Sequence, residues 1–374
     1  MMLLVACISL FTLYSILIIY YWQSWRSVPD YISNDQSAQI KISVIIAARN
    51  EEENIRQLLL ALQQQTYPKQ YFEIIVVDDN SKDSTSSVVK EFPEVILLQT
   101  KNEGINSGKK KAIETGIAGA TGELIVTTDA DCLPGKEWLQ TISSFKKEKQ
   151  PVFIVAPVIL TSSEKRHRLL SVFQQLDFLV LQGITAASVY RNIHSMCNGA
   201  NLAYERKTFY DVNGFKGIDD IASGDDMLLM HKIWKKYPHQ VYYLKSKDVL
   251  VATNTMKTWK EFFNQRIRWA SKAGRYDDKR IFFVLLLVYL FNLSFGVLLV
   301  AGCWHHEYWF WLIGMCIGKT ILEFPFVNSV AIFFNKQSLV KYFFLFQPLH
   351  IFYTILSGLF GQFGKYEWKG RKVR

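Results

Sequence analysis

The stretch Glu123-Leu-Ile-Val-Thr-Thr-Asp129-Ala130-Asp131 ends a short apolar run with two carboxylates two residues apart. Alternate side chains of a strand share a face, so Asp129 and Asp131 converge on one point if the run stays extended. Paired carboxylates just past a strand's carboxyl end suit a hard divalent cation whose other ligands are water and phosphate. Taken alone, Asp-x-Asp reads first as an ordinary polar loop. Two more acidic pairs accompany it. Asp78-Asp79-Asn80-Ser81 closes the run 72–77, and Ser223-Gly224-Asp225-Asp226 opens a helical stretch, 227–236, with acids at its positive end.

These groups need elements to position them. Residues 42–47, 72–77, 95–98 and 124–128 read as strands, and 55–64, 84–92 and 109–118 as the helices between them. Asn50 is expected to cap a helix whose first turn holds Glu51, Glu52 and Glu53. Such β-α-β alternation calls for an α/β fold, a mostly parallel sheet flanked by helices, with its ligand at the strands' carboxyl ends. Asp78, Asp79, Asp129 and Asp131 then share one edge. Two phosphate-binding signatures fail. Residues 104–110 read G-x-x-x-G-K-K, one residue short of a Walker A loop, and 116–122 read G-x-x-G-x-x-G, which is not the dinucleotide spacing.

The chain also carries membrane-like segments. Residues 2–22 form an uncharged apolar run long enough to span a bilayer, with no basic residue before it and no small-residue cleavage site after it. It reads as an uncleaved transmembrane anchor. Tyr20, Tyr21, Trp22 and Trp25 look like an interfacial belt, and Arg26 argues that the downstream side is cytoplasmic. Three further apolar stretches, 281–303, 308–334 and 342–360, follow the mixed region; the second contains Lys319 and Glu323, spaced to neutralise each other, and the third contains Gln347, Pro348 and His350. Residues 169–189 read as a helix lying near the membrane or an acceptor, or equally as a core helix. The expected organisation is an anchor (1–22), a linker (23–39), a cytosolic catalytic domain (40–280), a membrane region (281–362) and a basic tail (363–374).

The 374 residues carry a net charge of +10, yet no zinc-finger spacing or RNA-binding aromatic signature accompanies it, so the charge points to an anionic membrane face and not to nucleic acid. The five cysteines are scattered, without Cys-x-x-Cys, which indicates neither a disulfide framework nor a zinc site.

Taken in order, the motifs resemble glycosyltransferase family 2, the inverting nucleotide-sugar enzymes of the GT-A fold, and in particular membrane-associated members with a Gln-x-x-Arg-Trp motif. The resemblance runs from about Lys41 to Trp269. It rests on Arg49-Asn50-Glu51, Asp78-Asp79-Asn80-Ser81, Gly108-Lys109-Lys-Lys-Ala112-Ile113, Asp129-Ala-Asp131, Asn198-Gly199, Gly224-Asp225-Asp226 and Gln265-x-x-Arg268-Trp269. Ala47 departs from the family's usual proline. The resemblance implies a nucleotide-sugar site at Ala48, Arg49, Glu51, Asp78, Asp79, Lys109 and Asp129, with Asp78 or Asp79 accepting a uracil N–H. It implies a metal, Mg²⁺ or Mn²⁺, held by Asp129 and Asp131. It makes Asp226 the general base, oriented by Asp225, and it gives Gln265, Arg268 and Trp269 to the acceptor and diphosphate. Lys109 read alone is a solvated face. Asp219-Asp220 is set aside because no such helix follows it.

The implied partners are a nucleotide-sugar donor, UDP-linked by family preference, and a lipid or glycan acceptor in a cell membrane that holds the protein as an integral component, with the catalytic domain cytoplasmic. The few flawed spans after the domain favour a single addition to a membrane lipid. A processive polysaccharide synthase is the alternative, and a catalytically inactive nucleotide-sugar-binding scaffold is a reading of another class.

Overall fold

The computed structural model describes residues 1–33, 39–100, 108–162, 168–219, 224–272, 278–363, 366–368 and 371–373. The chain divides into two compact units. One comprises Val28–Thr161 and Ser195–Asn254; the other comprises Met1–Ser27, Ser162–His194 and Thr255–Arg374.

Among its described residues the first unit has ten strands: β1 (Ile42–Ala48), β2 (Phe72–Asp78), β3 (Val95–Gln99), β4 (Leu124–Asp129), β5 (Leu133–Pro134), β6 (Phe153–Val155), β7 (Val158–Thr161), β8 (Leu202–Glu205), β9 (Val241–Tyr243) and β10 (Val251–Asn254). Seven form one sheet in the order β3-β2-β1-β4-β8-β6-β9, and β5-β10-β7 form a second. All neighbours in the large sheet run parallel except β8, which is antiparallel to β4 and β6. Strand β1 lies in the sheet interior between β2 and β4, and its Val44, Ile45 and Ile46 are buried on both faces. Each such side chain contributes about 1.5–3 kcal/mol of burial.

Register sets the site. Ala48 pairs with Asp78 on one side of β1, and Ala47 pairs with Asp129 on the other. The helix Gly108–Gly119 lies close on this strand: a Cβ at Gly116 would come within 2.6 Å of Ile45 Cγ2. That close approach carries Lys109, at the helix start, to the sheet edge.

Among the described residues, the second unit holds five helices long and apolar enough to cross a membrane: Met2–Ser27, Leu169–Arg191, Lys279–Gly302, Glu307–Phe333 and Phe343–Gly361. The second of these is the core helix of the unit, 78% buried over its apolar window against 17–33% for the others. Of the two readings for that stretch, burial among its own neighbours is the one realised. The first helix runs five residues past Trp22. The proposed aromatic belt is partly overturned: Tyr21 and Trp25 are buried, Tyr21 against His194 and Trp25 edge-on to Phe333. Lys319 and Glu323 do pair, at 2.8 Å, and Glu323 also accepts from the Tyr14 hydroxyl.

Candidate active site

The loops after β1 and β2 are laced together. Asn50 stands in the left-handed region at φ +52° and accepts from Lys82 N at 2.9 Å, while its own N–H donates to Ser81 Oγ at 3.0 Å. Asn50 is therefore not a helix cap. The helix starts five residues later, at Ile55, because the intervening acids also serve the loop: Glu52 accepts from Ser84 N, and Glu51 accepts from the Asn54 amide.

Arg49 Nη1 donates to the Asp79 carbonyl at 2.6 Å and lies 3.6 Å from Asp79 Oδ2, and the Asp79 N–H donates to Ala48 O at 2.8 Å. The candidate nucleotide loop, Ala48 to Glu51, is thereby fixed to the end of β2. The two candidate base-reading acids separate here. Asp78 spends one oxygen on Ser81 N at 3.0 Å and the other on Ser86 Oγ at 2.6 Å, so it holds the loop. Asp79 has other partners: Oδ1 accepts from Thr100 Oγ1 at 3.4 Å, and Oδ2 faces Arg49.

At the end of β4 the pleat does not bring the two acids together, as expected, but a turn does. The strand stops at Asp129, and Cys132 N donates to Asp129 O at 3.1 Å, closing the turn that folds Asp131 back. Ligand atoms of Asp129, Asp131 and Cys132 then lie within 4.8 Å of one another. Two carboxylates at this spacing fit a hard, oxygen-preferring cation. Cys132 suits it less: burial first, and Asp131 and Asp129 next, push its thiol pKa well above the usual value. Thr253 Oγ1, on β10, donates to Asp131 Oδ2 at 3.4 Å.

Lys109 is not a solvated lysine. Its Nζ lies 2.7 Å from Asp129 Oδ1 and 3.1 Å from Asp225 Oδ2, with 22% of its side chain exposed. Burial works against the ammonium, but Asp129 and Asp225 outweigh it and hold its pKa well above the ordinary value. Lys110 likewise turns inward, buried and donating to Ile218 O.

Asp226 caps the helix Met227–Lys236 through Oδ1, which accepts from Met227 N at 2.7 Å, while Oδ2 accepts from Gly199 N at 3.0 Å. A side chain at Gly199 would press slightly on Lys109 alone. A Cβ there would stand 3.3 Å from Lys109 Nζ, 3.4 Å from Asp225 Oδ2 and 3.5 Å from Asp226 Cβ. Of the decoy pair, Asp219 accepts from Gly217 N and Asp220 lies outside the described residues.

Thus Ala48, Arg49, Glu51, Asp78, Asp79, Lys109, Asp129, Asp131, Asp225 and Asp226 all stand in the sheet-bearing unit, whereas Gln265, Arg268 and Trp269 stand in the helical unit on Trp259–Ala270. That helix opens with a capping box between Thr258 and Glu261. Within it, Arg266, to which the motif assigns no role, pairs with Asp177 at 2.6 Å, and both side chains are only 4% exposed. Its position between the named motif residues was the one available signal.

Residues 43–212 match the family model "Glycosyl transferase family 2". The chain is 27% identical over 293 residues to "Probable glycosyltransferase YdaM" of Bacillus subtilis (strain 168), covering 73% of this chain and 68% of that protein. It is 29% identical over 128 residues to "Beta-monoglucosyldiacylglycerol synthase" of Trichormus variabilis, covering 33% of this chain and 27% of that one. The chain thus matches about two thirds of the first relative's length and about a quarter of the second's. Among solved structures, mannosyltransferase PcManGT from Pyrobaculum calidifontis, in complex with GDP-Man and Mn²⁺, is similar in fold, with a TM-score of 0.57 at 20% identity over 96% of this chain and 99% of that chain.

Proposed function

We propose that this chain, a family 2 glycosyltransferase of the GT-A fold, moves a sugar from a nucleoside diphosphate, UDP by preference, to a hydroxyl of a membrane lipid with inversion. The observation that carries this reading is the Lys109 ammonium in contact with Asp129 and Asp225 together. That contact supports a leaving-group site and an acid pair serving one reacting carbon.

Asp79 and Arg49 would receive the base and ribose end of the donor. Asp129 and Asp131 would hold Mg²⁺ or Mn²⁺, which when bound supplies charge stabilisation for the departing diphosphate. Lys109 adds a cation at the same place. Asp226 is the general base. Its two oxygens are oriented by backbone N–H donors from Gly199 and Met227, and a carboxylate offers about four acceptor sites, which leaves room for the acceptor hydroxyl. Asp225, tied to Lys109, keeps a second negative charge beside it. Gln265, Arg268 and Trp269 are given to acceptor and diphosphate on the motif alone.

Five long apolar helices and the similarity to a beta-monoglucosyldiacylglycerol synthase support the lipid acceptor and an integral membrane location, and Arg26 beside the first apolar stretch supports a cytoplasmic catalytic domain. The test is a thermal-shift screen of UDP-glucose, UDP-N-acetylglucosamine and GDP-mannose with and without Mn²⁺, followed by product sizing with radiolabelled donor. A single glycolipid band is expected; a ladder would make the enzyme a polymer synthase.

A further inference from the structure

The proposed reaction leaves Arg266 without a part, although it sits inside the motif and is buried. Its Nε and Nη2 donate to Asp177 Oδ2 at 3.1 and 2.6 Å, and its Nη1 donates to Gln265 Oε1 at 2.8 Å. The guanidinium carbon lies 4.3 Å from the Trp269 ring centre and 4.7 Å from that of Phe262. Asp177, on the helix Arg168–Arg191, spends its other oxygen on the Tyr353 hydroxyl from the helix Phe343–Phe363, and His350 Nε2 stands 4.0 Å from it. Three helices meet on one carboxylate.

A buried ion pair is poor evidence of stability, because well-packed apolar groups would join these helices as firmly. What the pair supplies is direction. A guanidinium is planar, donates from five N–H groups and stacks on aromatic faces; an ammonium does none of this in a fixed plane. Arg266 uses those properties at once, on Asp177, Gln265 and Trp269. Arg266 and Trp269 are three residues apart and so share a face of the helix.

We infer that Arg266 and Asp177 are positioning residues for Gln265 and Trp269: the carboxylate fixes the guanidinium plane, and that plane fixes the Gln265 amide and the Trp269 indole. The functional half of this inference rests on the proposed role of the Gln265-x-x-Arg268-Trp269 motif; the geometric half does not.

The experiment uses the full chain in detergent, labelled with 5-fluorotryptophan, which gives resonances for ten tryptophans. The resonance missing from Trp269→Phe belongs to Trp269. It is expected to shift or broaden in Arg266→Lys and in Asp177→Asn while the other nine hold. Tyr353→Phe, which removes one hydroxyl, should move it less in the same direction and serves if Asp177→Asn does not fold. A Trp269 resonance unmoved in Arg266→Lys and in Tyr353→Phe overturns the inference.

In a second arm, nucleoside diphosphate release is measured in expressed membranes with UDP-glucose, UDP-N-acetylglucosamine and GDP-mannose as probes. Arg266→Lys preserves the buried charge yet should slow release about 10- to 100-fold, as misplacement of aligned groups does. Adding Gln265→Ala should then cost little more; additive losses overturn positioning through Gln265. Wild-type release by Gln265→Ala and Trp269→Ala overturns the functional half through the motif reading, and the fluorine spectra separate that failure from one of geometry.

Discussion

Lys109 Nζ lies 2.7 Å from Asp129 Oδ1, and this contact ties the first turn of the helix Gly108–Gly119 to the last residue of β4. The same ammonium reaches Asp225, so one cation neutralises carboxylates from two separate places in the chain. The raised pKa of Lys109 fixes the sign of its linkage. Its stabilisation is fully present below the ordinary lysine value of 10.5 and is lost only as pH rises through the higher folded value. Neutral-pH activity profiles therefore do not report it.

Lys109→Met should leave Asp129 and Asp225 mutually repelling. The expected outcome is a lower Tm without metal and a larger Tm rise on adding Mn²⁺ than wild type shows. Equal Mn²⁺ responses would refute the idea that ammonium and divalent cation serve the same acids.

Asp131→Asn should raise the Mn²⁺ concentration for half-maximal transfer by about 10- to 100-fold or more, since even partners outside a metal's ligand sphere carry that much. Metal titration of the transfer rate checks it. Chelation of wild type should stop transfer, and Mn²⁺ should restore it.

Asp226→Asn keeps an oxygen for one backbone donor but removes the proposed base. Transfer should fall about 100- to 10,000-fold, with the donor-induced Tm shift retained. Loss of donor stabilisation alongside activity would make Asp226 a binding residue.

Glu73 gives an acid-side prediction. It joins Ser43 on β1 to Thr121 before β4, accepting from Ser43 Oγ at 2.5 Å and from Thr121 N at 2.6 Å. Burial raises its pKa, but these donors prevail and hold it below the usual 4.5. Its stabilisation is present above 4.5 and lost as pH falls through the lower folded value. Glu73→Gln should cost about 1.5–3 kcal/mol at pH 7, and its Tm should converge on wild type as the solution is acidified. A constant gap down to strongly acidic pH would show that charge is not the cause.

Lys319 and Glu323 test the helical unit. Lys319 is fully buried and also donates to Gln347 Oε1 at 2.7 Å. Removing one member, as in Lys319→Met, strands a buried charge and should cost about 3–5 kcal/mol, while Lys319→Met with Glu323→Gln should recover much of it. Unfolding in detergent measures both.

Much of the candidate site's arrangement was legible because its residues lie at fixed distances from strand ends. Asp79 and Asp129 close runs whose buried, β-branched composition announces a strand, and Asp225-Asp226 precede an apolar helical period. The errors were local. Asn50 looked like a cap because Asn followed by acids usually is one, but the next loop offered its backbone N–H groups to the same side chains. Asp78 and Asp79 read alike in the sequence, since their different partners include Ser86, eight residues away in sequence yet 2.6 Å from Asp78 in space.

By itself the sequence determined the strand and helix alternation, the long apolar stretches and the order of acidic motifs, because periodicity and spacing are local properties of a chain. The tertiary structure decided what those acids touch. It folded Asp131 back on Asp129 through a turn and set Ala47 and Ala48 between Asp129 and Asp78. It also drew Lys109 inward to two carboxylates and buried Arg266 against Asp177. Each of these depends on register and packing between segments far apart in sequence, where charge pairing in a poorly hydrated place outweighs a lysine's or arginine's preference for water.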